Sequence, residues 1–158
     1  MNTLTLTSPD FEEGGRFPRR HTGQGEDLSP AFQVRGLPQG TAAMALVLED
    51  ASHPLFRNYT HWLIWDLPPS EEIPGAISPG ERVDSLGGAV QGTAYGRSRY
   101  RGPKPPLGLN HRYVFTLYAL DQRLDLSPSA KKQDLLRAME GHILGRSTLS
   151  GWFQSGRG

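Results

Sequence analysis

Four polar side chains stand at the ends of apolar, strand-like segments, where they could meet and bind a ligand. Asp50 ends one such segment, His61 begins a second, and His111 and Tyr113 begin a third. Because side chains alternate along a strand, His111 and Tyr113 share a face. Imidazole and phenol groups can donate hydrogen bonds to a phosphate or a carboxylate. Asp50 could fix the tautomer of one histidine and favour its charged form, so the set predicts a small anion site.

The segment 100–113, Y-R-G-P-K-P-P-L-G-L-N-H-R-Y, joins a proline-rich loop to these residues. Its prolines restrict the backbone and remove N–H donors, and its glycines permit turns that a Cβ would obstruct. We expect a loop of fixed shape in which the backbone N–H groups of Gly102 and Lys104 face an incoming anion. Pro103, between them, is expected to line the same site.

Other interpretations of these residues remain open. Histidines at strand ends often only bond to the backbone, and Asp50 before a proline is an ordinary turn residue. A metal site with His61, His111 and Asp50 as ligands is a third alternative, but no H-x-H or H-x-x-x-H spacing supports it. No G-x-S-x-G elbow, P-loop or G-x-G-x-x-G motif is present, so nucleophilic catalysis has no support.

A cluster of basic residues precedes and enters the loop, namely Arg97, Arg99, Arg101 and Lys104. It could raise the local potential and attract anions. The alternative is a solvated loop surface.

Short strands are predicted by alternation or continuous apolar character. They cover Leu4 and Leu6, a short edge strand at 31–34, a central strand at 43–49, and strands at 61–66 and 112–120. The stretch 70–99 is predicted to be a long irregular connection. The predicted class is mainly β, a two-sheet sandwich with a C-terminal helix.

The helix is predicted after the last of these strands. We expect Ser127 to cap it and Pro128 to lie in its first turn. Leu135, Met139 and Ile143 recur at helical spacing, and Gly145 is expected to end the helix. Leu149, Trp152 and Phe153 then form an aromatic tail that must pack against the core.

Composition limits the class of protein. A chain of 158 residues fits a single domain, here 1–158, and its 19 glycines and 13 prolines favour strands and turns. The net charge of +1 does not point to a nucleic-acid or membrane partner. Without cysteine there are no disulfides or thiolate sites. The first ten residues lack the regions of a signal peptide, so we expect a cytoplasmic protein.

Several segments, in order, resemble the phosphatidylethanolamine-binding protein family, in its bacterial branch of Raf-kinase-inhibitor-like proteins. The resemblance covers nearly the whole chain. Its segments are D-L-S-P-A-F (27–32), G-L-P-Q-G-T (36–41), L-E-D-A-S-H-P (48–54), T-H-W-L-I-W-D-L-P (60–68), Y-R-G-P-K-P-P-L-G (100–108), H-R-Y-V-F-T-L-Y-A-L (111–120) and G-H-I-L (141–144).

The resemblance implies a Greek-key β-sandwich of two antiparallel sheets with an anion pocket at one end. The pocket would contain Asp50 and Pro54 of the D-A-S-H-P segment, His61, the loop 102–106, and His111 with Tyr113. Trp152 and Phe153 stand where the family closes its pocket with the chain end.

The chain departs from the family pattern at several positions. D-A-S-H-P replaces D-P-D-A-P, so that Ala51 and Ser52 stand in place of a proline and an acid. Lys104 stands where bacterial members often have cysteine, and Asp66 where many relatives have asparagine. The lost acid and the added lysine make the expected pocket more cationic.

The function predicted from these residues is non-enzymatic binding of a phosphate-bearing ligand, of the phosphoethanolamine or phospholipid head-group class. One alternative is an interaction module that inhibits a kinase or hydrolase through its basic face. A second alternative is a hydrolase that uses a histidine as general base. We expect no cofactor, no metal and no nucleic-acid partner, while a protein partner or a homodimer stays open.

Overall fold

The computed structural model describes residues 3–52, 59–105 and 108–155. Ten strands and one α-helix follow in chain order. They are β1 (Thr5–Thr7), β2 (Gly15–Arg16), β3 (Phe32–Arg35), β4 (Ala43–Asp50), β5 (Tyr59–Leu67), β6 (Glu72–Ile73), β7 (Arg82–Val83), β8 (Ala89–Gln91), β9 (Asn110–Leu120), α1 (Lys132–Met139) and β10 (Ile143–Gln154). Within the described residues, no helix is long and apolar enough to cross a bilayer.

The strands form two sheets. The small sheet has the order β1-β3-β6, and the large sheet has the order β2-β10-β9-β4-β5-β8-β7. Neighbouring strands are antiparallel except β2 and β10, which run parallel. The chain is therefore mainly β with two sheets, as predicted.

The large sheet is buried on both faces, which explains why β4 is apolar at nearly every position. Met44, Leu46 and Leu48 pack with residues of the small sheet in one cluster. Ala45 and Val47 point the other way and join a second cluster that contains residues of α1. An ion pair between Lys132 of α1 and Glu49 of β4 ties the helix to this second face.

The predicted helix is longer than the observed one, and the predicted cap is wrong. The helix begins at Lys132, after an N-cap at Lys131 whose N–H donates to Asp134, 3.0 Å away. Ser127 instead accepts a bond from the N–H of Ser129 in the preceding turn. Helical spacing was misleading at Ile143, because that residue is 44% exposed and belongs to β10.

The predicted helix end at Gly145 is also wrong, because Gly141, with φ of +80°, already lies beyond the end of the helix. Gly145 pairs with β9, as do most residues of the aromatic tail. Leu149 and Phe153 are buried in the core, whereas Trp152 is half-exposed. The aromatic tail thus belongs to β10, a strand of twelve residues.

Two further strand predictions need correction. The strand at 31–34 is observed as β3, and it lies between β1 and β6 rather than at an edge. The stretch 70–99 contains three short strands, which were not predicted because two or three residues show no periodicity. The central position of β4, between β9 and β5, is confirmed.

Candidate functional site

Asp50, His61, His111 and Tyr113, here called the histidine cluster, meet at one end of three adjacent strands of the large sheet. Asp50 ends β4, opposite Tyr113 near the start of β9. His111 and Tyr113 lie two residues apart on β9, with ring centroids 6.3 Å apart. His61 lies on β5, and its ring centroid is 5.5 Å from that of Tyr113.

A β-bulge brings His61 to this face. Leu48 pairs with Trp62, but the next residue, Glu49, pairs with Thr60, so that His61 is an extra residue in β5. Bulges re-aim side chains that regular alternation would send to the opposite face. Trp62 belongs to the cluster between the two sheets, and His61 contacts Tyr113 on the same side.

Asp50 and His111 form a buried pair. The Nδ1 of His111 lies 2.8 Å from Oδ2 of Asp50, and the other carboxylate oxygen accepts the N–H of Ser52 at 2.8 Å. A carboxylate only accepts hydrogen bonds, so Nδ1 of His111 carries the proton. The Nε2 of His111 is left for another partner.

His61 is held differently. Its Nδ1 lies 2.9 Å from the carbonyl oxygen of Arg101, so this nitrogen also carries a proton. Burial lowers the pKa of His61 below its ordinary value, despite the opposing effects of that hydrogen bond and of Asp50. His61 is therefore held as a neutral imidazole whose Nε2 is an acceptor, and the Tyr95 hydroxyl lies 3.5 Å from it.

Tyr95 and Tyr113, which lie near the histidines, are neutral phenols. Burial, followed by the negative charge of Asp50, raises the pKa of Tyr113 above its ordinary value. Burial raises the pKa of Tyr95 to about 12. Each hydroxyl can therefore donate a hydrogen bond at neutral pH.

The proline-rich loop is held by hydrogen bonds to the segment 21–27. The N–H of Gly102, which we expected to face an anion, instead donates to Asp27 at 2.8 Å. Pro103 is buried, and its carbonyl oxygen accepts the N–H of Gly23 at 2.9 Å. Lys104 is exposed. Much of its side chain is therefore accessible to solvent.

Some predicted residues cannot be placed. Pro54 and Pro106 lie outside the residues that the structure describes. In the described part of the chain, no group of three or more His, Cys, Asp or Glu residues is arranged to hold a metal. Asp50 pairs with His111, while His61 bonds to a carbonyl oxygen.

Two of the departures from the family pattern have structural roles. The Oγ of Ser52 accepts the N–H of Arg112 at 3.0 Å and so ties the end of β4 to β9. Asp66 has φ of +57°, a conformation that Asp and Asn tolerate better than most residues, and it accepts the N–H of Leu124 at 2.7 Å.

Sequence reasoning missed Tyr95 and Asp27. Tyr95 and Gly96 both have positive φ and form a turn between Ala94 and Arg97. The backbone N–H of Ala94 donates to the carbonyl oxygen of Arg97, and the N–H of Arg97 donates to the carbonyl oxygen of Ala94. A residue followed by glycine is a signal for such a turn, but it does not show what the tyrosine contacts. Asp27 begins the D-L-S-P-A-F segment, whose pattern does not show that its side chain bonds to Gly102.

Comparison with known proteins supports the resemblance found in the sequence. The family model described as phosphatidylethanolamine-binding protein matches residues 7–154. The chain belongs to this family. A UPF0098 protein of the archaeon Methanothermobacter thermautotrophicus is 42% identical over 97% of this chain and 100% of its own length.

Solved structures of the family have the same fold. A phosphatidylethanolamine-binding protein homologue of Chlamydia trachomatis, CT736, has a TM-score of 0.86 and 30% identity, covering 99% of this chain and 100% of that one. YbcL of E. coli, described as a member of the mammalian family, has a TM-score of 0.86 over 97% of this chain and 99% of its own. At 22% identity, this second likeness concerns the fold alone. The family and fold predictions are confirmed.

Proposed function

We propose that the histidine cluster binds the phosphate group of a small ligand of the phosphoethanolamine class, and that it does so without chemical turnover. One observation carries the proposal. Each histidine uses its Nδ1–H on a protein acceptor, Asp50 for His111 and the Arg101 carbonyl for His61. Within the described residues, the Nε2 of His111 has no partner, and the Nε2 of His61 has only the long 3.5 Å contact with the Tyr95 hydroxyl, which a ligand oxygen could replace.

The two Nε2 atoms suit different oxygens of one phosphate group. Neutral His61 can accept a hydrogen bond from a protonated phosphate oxygen. The Nε2–H of His111, when that ring is protonated beside Asp50, can donate to an ionised oxygen, and the neutral Tyr113 hydroxyl adds a second donor. The monoanion of a phosphate monoester, which is populated around its second pKa of about 6, has both kinds of oxygen.

We favour binding over catalysis on two grounds, one from the sequence and one from the histidine cluster. The sequence contains no cysteine and no serine-nucleophile motif. The cluster supplies donors and an acceptor for a ligand, and both Nδ1 atoms are already engaged.

Calorimetric titration of phosphoethanolamine, inorganic phosphate and ethanolamine tests the proposal. We expect the two phosphates to bind and ethanolamine to fail. His111→Ala should weaken phosphate binding by about 1–3 kcal/mol, because a hydrogen bond to a charged group is lost. His142→Ala is the matched control, since His142 also pairs with an aspartate, Asp121 at 2.9 Å, but near the opposite end of β9.

Equal binding by the parent protein and His111→Ala would contradict the proposed site. Failure of every phosphate probe would favour the inhibitor alternative. Hydrolysis of a phosphate monoester by the parent protein, lost in His111→Ala, would overturn the non-enzymatic proposal in favour of a hydrolase.

A further inference from the structure

A cleft of about 220 Å³ lies beside the proline-rich loop and is lined mainly by basic residues. Arg97, Arg99, Arg101 and Lys104 contribute four cationic side chains, and Asp27 is the one carboxylate among its described lining residues. Gly23, Ala94 and Gly102 complete the lining. We refer to it as the basic cleft.

The basic cleft and the histidine cluster lie on different sides of one peptide group. The carbonyl of the Arg101–Gly102 peptide accepts from His61, and the N–H of the same peptide donates to Asp27, which lines the cleft. The C=O and N–H of a trans peptide point in opposite directions. A ligand in the cleft would therefore contact side chains other than the two histidines.

The backbone beside the cleft is held by close packing and hydrogen bonds. A Cβ on Gly102 would lie 2.0 Å from the carbonyl oxygen of His21 and 2.8 Å from Oδ1 of Asp27, so only glycine fits. That His21 oxygen also accepts the hydroxyl of buried Tyr100, at 2.6 Å. The segments 21–27 and 100–104 are thus joined by several hydrogen bonds, including the Gly23–Pro103 bond described above.

Two of the four cations are positioned by contacts other than ion pairs. The guanidinium carbon of Arg101 lies 4.2 Å from the ring centroid of Tyr95. The aliphatic stem of Lys104 passes so close to Gly23 that a Cβ there would lie 3.0 Å from two of its carbons. The stem therefore packs beside the cleft instead of extending freely into solvent.

The positive charge of the cleft is only partly offset, by Asp27, within the described part of the chain. None of the four cations has a carboxylate oxygen within 4.0 Å there. The single carboxylate of the lining, Asp27, is engaged with the N–H of Gly102. Concentrated like charge in a concave surface raises the affinity for anions of opposite charge.

From this geometry we propose that the basic cleft is a second anion site, which takes a ligand with several adjacent phosphoryl charges, of the diphosphate type. Guanidinium groups match phosphoryl oxygens through paired N–H donors, and Lys104 adds a point charge. A single phosphate group cannot engage all four cations as well as a diphosphate can. The residues that line this site are distinct from the histidine cluster, although the Arg101–Gly102 peptide borders both.

Titration of inorganic diphosphate into the full chain tests the second site. We expect diphosphate to bind more tightly than inorganic phosphate in His111→Ala, where the histidine cluster is weakened, and to bind less tightly as salt rises. Arg97→Gln with Arg99→Gln should weaken diphosphate binding about tenfold or more. In NMR spectra, diphosphate should shift the amide signals of Gly23 and Gly102.

A control with the same change in charge is Arg137→Gln with Arg146→Gln, because both residues are exposed and neither lines the cleft. If the two double variants weaken diphosphate binding equally, the proposed site is wrong, and the overall positive charge of the protein accounts for the binding. Amide shifts centred on His111 and Tyr113 instead of Gly23 and Gly102 would also overturn it. Loss of phosphoethanolamine binding in His111→Ala with diphosphate binding intact would support both sites separately.

Discussion

At the scale of single residues, Asp50 determines which ring nitrogen of His111 carries the proton. Its two carboxylate oxygens accept from different donors, His111 Nδ1–H and the Ser52 N–H, and the side chain is buried. The neighbouring His61 receives no such bond and is held by a carbonyl oxygen. The two imidazoles, although close together, therefore offer different chemistry to a ligand.

Replacing Asp50 by asparagine should destabilise the protein and release the His111 tautomer. The amide nitrogen of asparagine is a donor, so one of the two donors that Asp50 now satisfies would be left without an acceptor. We expect the free energy of unfolding to fall by about 1–3 kcal/mol in urea titrations. Nitrogen NMR should show that the proton of His111 is no longer confined to Nδ1. Exposed Asp125→Asn is the control, and an equal effect there would contradict this account.

At the scale of elements, two features assemble the site: the bulge in β5, and the hydrogen bonds between the proline-rich loop and the segment 21–27. The bulge turns His61 toward Tyr113. The Arg101–Gly102 peptide holds His61 on one side and Asp27 on the other. Any shift of this peptide should therefore disturb both His61 and the basic cleft.

Gly102→Ala should displace the loop, because the new Cβ would lie 2.0 Å from a backbone oxygen. We expect a loss of about 1–3 kcal/mol in the free energy of unfolding, as in other overpacked sites. The signals of His61 should also shift. In Gly108→Ala the Cβ would meet nothing within 4 Å, so only the φ of +81° would oppose it, by about 1 kcal/mol. Unchanged His61 signals in Gly102→Ala would show that the peptide does not position His61.

At the scale of the whole molecule, the large sheet is covered by the small sheet on one face and by α1 on the other. This burial extends to polar residues, including His21 and His61. His21 bonds through Nδ1 to the Leu28 carbonyl, and its Nε2 lies 3.4 Å from a carboxylate oxygen of Asp10 without forming a well-aligned hydrogen bond. Burial lowers the pKa of both histidines below the ordinary 6.5.

The free energy of unfolding should therefore fall as the pH is lowered from 7 to 5. Below pH 6.5 the unfolded chain binds protons at His21 and His61 more readily than the folded chain, so this stabilisation is present above 6.5 and lost toward the folded pKa values. The slope is at most about 1.4 kcal/mol per pH unit for each histidine.

Urea titrations at a series of pH values measure this dependence. The double variant His21→Asn with His61→Asn should flatten it, since the asparagine amide can still donate to the two carbonyl oxygens. His142→Asn, at a partly exposed position, should keep the slope of the parent protein. A parent protein whose stability is constant over this range would refute the assignment.

The sequence alone determined the β class, the main strands and the positions of the candidate residues. Asp50, His61 and His111 could be located because apolar runs end where polar residues begin, and the ordered segments carried the family resemblance. These are local signals. The helix end was predicted wrongly because the pairing of Ile143 and Gly145 with β9 overrides the helical spacing of the apolar residues.

Only the tertiary structure decided the orientation of these side chains and which groups they contact. The bulge at His61 depends on its pairing with β4, and the Gly102–Asp27 bond joins residues 75 positions apart. Tyr95 reaches His61 across 34 positions. Such contacts leave no periodic trace in the chain, because hydrogen bonds between distant segments are set by the packing of whole strands and loops. The orientation of the two Nε2 atoms and the shape of the basic cleft follow from those contacts.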